Sequence, residues 1–484
     1  MPEVVDKPEE RTLFGHPIGL ANLFGVELWE RFSFYGMLLI LNFYLYYEVT
    51  KGGLGLPEAT ANSIVGAYGG FVYLCTVLGG WLADRVLGME RMIFYGGFVV
   101  MLGHLALAVL PGLTGVGVGL VLVGLGSGAL KANASALLGQ LYRRGDVRRD
   151  GGFTLFYMGI NVGSFIGPIL TGLVQEEHGF HWGFGLAAFG MALGLTQYVR
   201  FRRNFGDAGR DPANPLPPAE LPKAGLVGAG VLLVVVAVLV SGWVTLANLA
   251  KVIALVVVVV ATGYFALLLT SERVTTEERV RVRAFIPLFL ATTAFFALFQ
   301  QTFTVLAQYS DTRIDWNILG WEAPASWIGS EPVWVIILAP LFARLWTGLG
   351  DRGPSTPVKF GIAVIGMGGA FLLFLPMAAG TGKTTPALAV FGILGLFAVF
   401  ELMLSPIGLS AATRLAPAQF QAQMMALYFL SLSLATALSG VVSDFYVEGH
   451  EFGYFGISGA VAIGLGLLML AVAPWVKRRM AGGL

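Results

Sequence analysis

Charge is the scarcest property of this sequence. Only 12 % of its 484 residues are Asp, Glu, Lys or Arg, where a soluble domain carries about a quarter. A soluble globular plan is excluded at that length. The formal balance is +1, and no basic patch is interleaved with aromatics, so nucleic acid is not an expected partner. Cysteine is reduced to Cys75, which excludes an intramolecular disulfide. With five histidines and none at ligand spacing, no metal or other cofactor is expected. Neither a nucleophile with its base nor a phosphate-binding loop can be assembled from the apolar segments, which disfavours an enzyme embedded in the membrane.

What the chain does have is apolar length. It is 56 % hydrophobic, with a mean hydropathy of +0.75, and about fourteen runs are long enough to cross a ~30 Å hydrocarbon core as helices. Their approximate limits are 20–46, 60–83, 92–111, 116–141, 152–175, 183–200, 224–243, 249–270, 285–308, 327–347, 358–379, 386–411, 420–442 and 455–475. The polar opening, residues 1–19, has none of the character of a cleaved signal, and the first helix is expected to be retained. An all-α, multi-pass membrane protein follows.

Lys and Arg set the expected orientation. Alternate connections hold "YRRGDVRRD" (142–150), "RFRRN" (200–204), "ERVTTEERVRVR" (272–283), the stretch 344–359 and the tail "KRR" (477–479), whereas the intervening ones carry only Lys51, Lys251, Arg313 and Lys383. Both termini are expected on the cytoplasmic side. By the same count Arg31 and Lys131 are the only basic residues well inside helices.

The stretch "GDAGRDPANPLPPAELPK" (206–223) reads as a linker. Two helices of Val, Ala, Leu and Gly follow it and look like spacers. Removing them leaves six helices on each side. "LADR" (82–85) after the second helix of the first half is echoed by "LGDR" (349–352) after the second of the other. Two six-helix halves related by a parallel repeat are the plan of major facilitator transporters. The expected division is 1–205, an N-terminal bundle; 206–275, linker and inserted helices; and 276–484, a C-terminal bundle.

Inside the first apolar run, "VELWERFSFYG" (26–36) carries Glu27, Glu30 and Arg31. Residues four apart share a helical face, so Glu27, Arg31 and Tyr35 form a stripe flanked by Glu30. Facing lipid, each charge costs several kcal/mol. Two readings remain, a salt bridge fastening the helix to a neighbour and a substrate or proton pathway. Lys131, in "GLGSGALKANAS" (124–135), needs a carboxylate, which Glu27 or Glu30 can supply; the glycines at 124 and 128 need only close packing. Glu401, in "FAVFELMLSPIGLS" (397–410), is read as the only deep acid of the second half, with the substrate as its expected counter-charge.

"ELWER", "GGWLADRVLG" (79–88), "FTLFYMGINVGSF" (153–165), "LKANAS" and "ELMLSPIGLSAATRLAP" (401–417) together resemble the proton-dependent oligopeptide transporters, bacterial type, over nearly the whole chain. The resemblance implies a proton-driven symporter importing di- and tripeptides across the cytoplasmic membrane by alternating access, and a functional monomer is expected. It implies a peptide carboxylate met by Arg31 and Lys131, with Tyr35, Tyr73, Asn161, Glu401 and Ser405 completing the pocket and Asn161 and Glu401 near the ammonium. It also implies that Asp84 and Arg85 lock the cytoplasmic side. Relatives close the outer side with a base at the start of helix 2 and an acid at the end of helix 7; Glu58 and Arg313 hold those neighbourhoods with signs reversed, so an inverted pair is expected.

The sequence departs from the family pattern at several positions. Leu38 replaces a second arginine, Ala132 a proline, Tyr428 a tryptophan and Gln300 the helix 7 glutamate, and Glu331 stands where asparagine is usual. Gln300 cannot titrate, so proton coupling falls to Glu27 and Glu30, competing for Arg31 and Lys131, or is shared by Glu331. The alternative for Glu331 is a solvated residue at a helix start, favoured there by the helix dipole. A nitrate or other small-anion carrier of the same fold and a non-transporting peptide sensor stay open as other functions.

Overall fold

In a computed structural model of the chain, the described residues are 12–13, 15–142, 148–349, 352–378, 380 and 382–481. Six helices come first: α1 (Gly19–Tyr46), α2 (Glu58–Leu82), α3 (Met89–Val109), α4 (Gly112–Gln140), α5 (Arg149–His178) and α6 (Phe180–Phe201). The inserted pair is α7 (Leu221–Val240) and α8 (Leu249–Thr270). Then follow α9 (Thr276–Phe299), α10 (Val305–Arg313), α11 (Pro332–Leu349), α12 (Thr356–Leu372), α13 (Ala387–Leu415), α14 (Gln421–Val442) and α15 (Glu451–Met480). Eleven of the described spans are long and apolar enough to cross a membrane by composition. With α1, which carries three charges, α6 and the shorter α12 they make fourteen, α9 and α10 counting as one span.

The first six helices pack among themselves, α1 against α5 and α6, and α3 and α2 against α4. The last six do likewise, α12 against α15 and α9 against α14. The two sets meet where α2 crosses α14 and where α5 meets α11 and the 3₁₀ turn Ala325–Ser330. The first crossing depends on the absence of side chains. A Cβ on Gly66 would lie 2.6 Å from the Gly440 Cα, and at this distance Ser433 Oγ reaches across to donate to the Gly70 carbonyl, 2.6 Å.

The inserted helices differ from each other. α7 buries nothing against the protein. α8 is no mere spacer, because it lies along both α2 and α14 and buries Ala250, Ala254, Val257, Ala261 and Leu268. Their three- and four-residue spacing puts them on one face.

The run expected as one helix over 285–308 is broken. Gln300–Phe303 forms a 3₁₀ turn, and Thr304 leaves helical geometry at φ −122°, ψ −100°. The carbonyls released by the break are satisfied from α1: Asn42 Nδ2 donates to Phe303 O (3.0 Å) and Thr304 O (3.2 Å).

Candidate functional site

The charged stripe of α1 is a connected network. Arg31 donates to Glu27 Oε1 from Nη2 (2.6 Å) and Nε (3.0 Å), the four-residue spacing putting them on one face. Glu30 turns toward α4, where Lys131 Nζ lies 2.6 Å from its Oε1 and Ser127 Oγ donates to the same oxygen. Its other oxygen is 3.4 Å from Arg31 Nε. Glu30 therefore stands between the two cations. α4 also packs closely on α2, where it carries glycine: a Cβ on Gly128 would lie 2.5 Å from Cys75 Cβ, and one on Gly124 2.6 Å from the Phe71 ring. Lys131 also sits 4.0 Å over the Phe34 ring. Glu27 and Glu30 are closed off, while the Arg31 side chain keeps 12 % exposure.

Across the interior, the second set of helices supplies two acids. Glu401, partly exposed on α13, and Glu331, just before α11 and 5 % exposed, lie within hydrogen-bonding reach of each other. The solvated-cap reading of Glu331 is therefore overturned. The 3₁₀ turn before it is tied under α5 by Ser326 Oγ donating to the Pro168 carbonyl, 3.1 Å. Tyr157 of α5 stands beside both acids, and Asn161 one turn on donates to the Tyr157 carbonyl, 2.9 Å. Tyr428 OH donates to the Ser405 carbonyl, 3.2 Å. Tyr35 and Tyr73 lie within electrostatic reach of both Arg31 and Glu401 and so span the two ends. Gln300 is buried in the 3₁₀ turn, 8 % exposed.

Sequence reasoning missed Ser127 and Tyr157, although each stands one helical turn before a residue it did select, Lys131 and Asn161. It also treated Glu401 as the only deep acid of its half and counted only two deep cations. The structure adds buried Glu331 and Glu451 to the acids and Arg313 to the cations. α10 runs on to Arg313, five residues past the expected helix end, and α15 begins at Glu451, so the two meet with Arg313 Nε 3.0 Å from Glu451 Oε1. Arg313 also donates to the Gly380 carbonyl.

That pairing displaces the expected contact between Glu58 and Arg313. The face opposite the termini is bridged instead by Asp311, whose two oxygens accept from Tyr46 OH (2.9 Å) at the end of α1 and Tyr47 OH (2.8 Å) just after it. Asn62 Nδ2 adds a bond to Gln308 Oε1, 3.0 Å, and Gln308 Nε2 donates to the Glu58 carbonyl, 3.4 Å.

At the other face, Asp84 and Arg85 form part of a π-helical turn, Ala83–Leu87. Their carbonyls accept from Asn214 N and Leu216 N, both 2.9 Å, and Arg85 Nη2 lies 3.3 Å from Glu220 Oε2. These contacts bind the linker to the first bundle. The second copy of the echo, 349–352, lies partly outside the described residues, as does most of the basic stretch 142–150.

A family model described as the POT family matches residues 90–459. The chain belongs to the POT family. This transporter family accounts for the fold, and relatives match end to end. The chain is 40 % identical to a di-/tripeptide transporter of Lactococcus lactis subsp. cremoris, over 97 % of this chain and 98 % of the relative. It is 41 % identical to the uncharacterized transporter YclF of Bacillus subtilis, covering 99 % and 98 %. Among solved structures, a peptide transporter POT in complex with sulfate superposes with a TM-score of 0.92 at 44 % identity, covering 97 % of each chain. A variant of a peptide transporter POT in complex with alafosfalin gives 0.91 at 45 %, also covering 97 % of each. In this POT chain the motif residues of α1, α4, α5 and α13 converge on one interior, cationic and acidic toward the first set of helices and purely acidic toward the second.

Proposed function

We propose that this POT protein imports di- and tripeptides with protons across the cytoplasmic membrane, both termini inside, alternating access as a monomer between two six-helix bundles. The observation that carries the reading is the opposition of Arg31 and Lys131, on one set of helices, to Glu401 on the other. A peptide zwitterion matches that polarity and bridges the halves through its two ends. The names of the relatives support the substrate class, and the Lys and Arg distribution supports the orientation.

Coupling follows from the position of Glu30. Arg31 and Lys131 are its counter-cations in the ligand-free carrier, and an arriving peptide carboxylate competes for both. A Glu30 deprived of them is a bare charge in a closed site, which a proton neutralises. Peptide and proton then enter together. Tyr46, Tyr47 and Asp311 act as the outer closure, and the turn holding Asp84 and Arg85 acts on the cytoplasmic side.

Uptake of labelled dialanine into liposomes containing the protein, under an inward proton gradient, tests the reading. Accumulation above the external concentration that collapses with a proton ionophore is expected. Equal uptake with and without the gradient refutes the proton coupling, and no uptake refutes the substrate.

A further inference from the structure

Positive charge gathers without a partner where α12 begins. A cavity of about 340 Å³ opens there, walled by Ser355, Thr356 and Pro357 at the start of α12, Arg414 and Leu415 at the end of α13, and Lys477 near the end of α15. Lys359, one turn into α12, lies within electrostatic reach of Arg414. Among the described residues, no carboxylate pairs with Lys359, Arg414 or Lys477. α12 has no acidic residue in its first turn, and the hydroxyl of Ser355, its N-cap, makes no capping bond. Cations at the ends of α13 and α15 are ordinary, because they face the negative poles of their own helices. Those poles do not account for Lys359, which sits at the positive pole of α12, or for cations of two other helices lining the same opening.

Two tryptophans mark the depth of the cavity. The Lys359 ammonium sits 3.7 Å over the Trp346 ring, and the Arg479 guanidinium 4.2 Å over that of Trp475; tryptophan favours the boundary between membrane and water. α15 leaves Leu465, Leu468 and Trp475 uncovered on its way to that boundary, an apolar flank suited to acyl chains.

We infer that this cavity binds the phosphate of an anionic membrane lipid. Arg414 and Lys477 are the counter-cations, the hydroxyls of Ser355 and Thr356 are donors, and the chains of the lipid lie along α15. A basic pocket between spanning helices suits such a headgroup because the phosphate stays at the water boundary while the tails remain in hydrocarbon. The site lies roughly 20 Å along α13 from Glu401, by the helical rise, and is separate from the peptide pocket. A lipid held there joins the ends of three helices of the second set, among them the one that carries Glu401.

Thermal unfolding of the purified full chain in detergent, with added dioleoylphosphatidylglycerol, dioleoylphosphatidylcholine or inorganic phosphate, tests the site, because a ligand of the native state raises the midpoint. Phosphatidylglycerol should protect the wild type at concentrations where the other two do not. The double Arg414→Gln, Lys477→Gln should need roughly thirtyfold more of it, from the contribution of each cation near a membrane surface. Both side chains are exposed, so the fold should survive, and the pair Arg414→Lys, Lys477→Arg, which keeps both charges, should respond like the wild type. Arg478→Gln removes one charge from the same tail outside the cavity and should change nothing, whereas Lys477→Gln alone should weaken the response. Equal effects of these two single substitutions would reduce the site to diffuse attraction by a basic face and overturn the inference, as would an undiminished response in the double variant. Equal protection by inorganic phosphate or by phosphatidylcholine overturns the assignment to an anionic lipid.

Discussion

Removing Lys131 tests the network at the point where its charges are most tightly interlocked. The lysine ammonium and the Glu30 carboxylate are 2.6 Å apart, with side chains 5 % and 0 % exposed, so Lys131→Ala leaves a closed-off carboxylate without its nearest cation. Losing one partner of a buried pair costs about 3–5 kcal/mol. Two contacts survive to soften that loss, Arg31 Nε at 3.4 Å and the Ser127 hydroxyl, while the cation over the Phe34 ring is lost as well. The expected cost is therefore near the lower limit, about 3 kcal/mol. Glu30→Gln should cost a similar amount by stranding the ammonium, whereas the double substitution should cost less than the sum, with a coupling energy of about 2–3 kcal/mol. Thermal unfolding of the purified variants reads the stability, and liposome uptake reads the function. Neither single variant nor the double should concentrate dialanine under a proton gradient, since each lacks the exchange of Glu30 between a cation and a proton. Lys131→Ala with wild-type stability and wild-type concentrative uptake would refute both the energetic and the functional reasoning.

Glu401→Gln should weaken dialanine binding more than tenfold while an N-acetylated dipeptide, which has no ammonium, loses little; equal losses for the two ligands in a competition assay would point to misfolding. Asp311→Ala removes the bonds from Tyr46 and Tyr47 to α10; at roughly 1.5–3 kcal/mol for each bond to a charged group, the carrier should shift at least tenfold toward the state open at that face. Thiol labelling of a cysteine introduced beside Tyr47 measures the shift, and unchanged labelling disproves the closure. Arg313→Ala strands Glu451, 0 % exposed, and should destabilise by about 3–5 kcal/mol, whereas the double Arg313→Leu, Glu451→Leu should recover much of it; a stable single variant in thermal unfolding would contradict the pairing.

The membrane class, the helix count and the poles of the site were legible in the sequence because each depends on local information. A run of ~20 apolar residues is a span wherever it packs. A charge within it demands a polar environment, and four-residue spacing alone places Glu27 beside Arg31. Even the contact from Glu30 to Lys131 was reachable, since a lone deep cation must find one of few deep carboxylates. What failed was counting at helix ends. Arg313 reads as a loop charge because hydropathy fades before a helix does, and only the meeting of α10 with α15 shows that it and Glu451 are buried. Glu331 failed for the same reason: its neighbours look like a solvated helix start until the 3₁₀ turn is tied under α5. The break at Gln300–Thr304 has no signal in the sequence, because Asn42, 261 residues away, supplies the bond that tolerates it. Composition and spacing fixed what each helix needed, since solvation is a local cost; which residues met that need was decided by tertiary packing, which brings together atoms far apart along the chain.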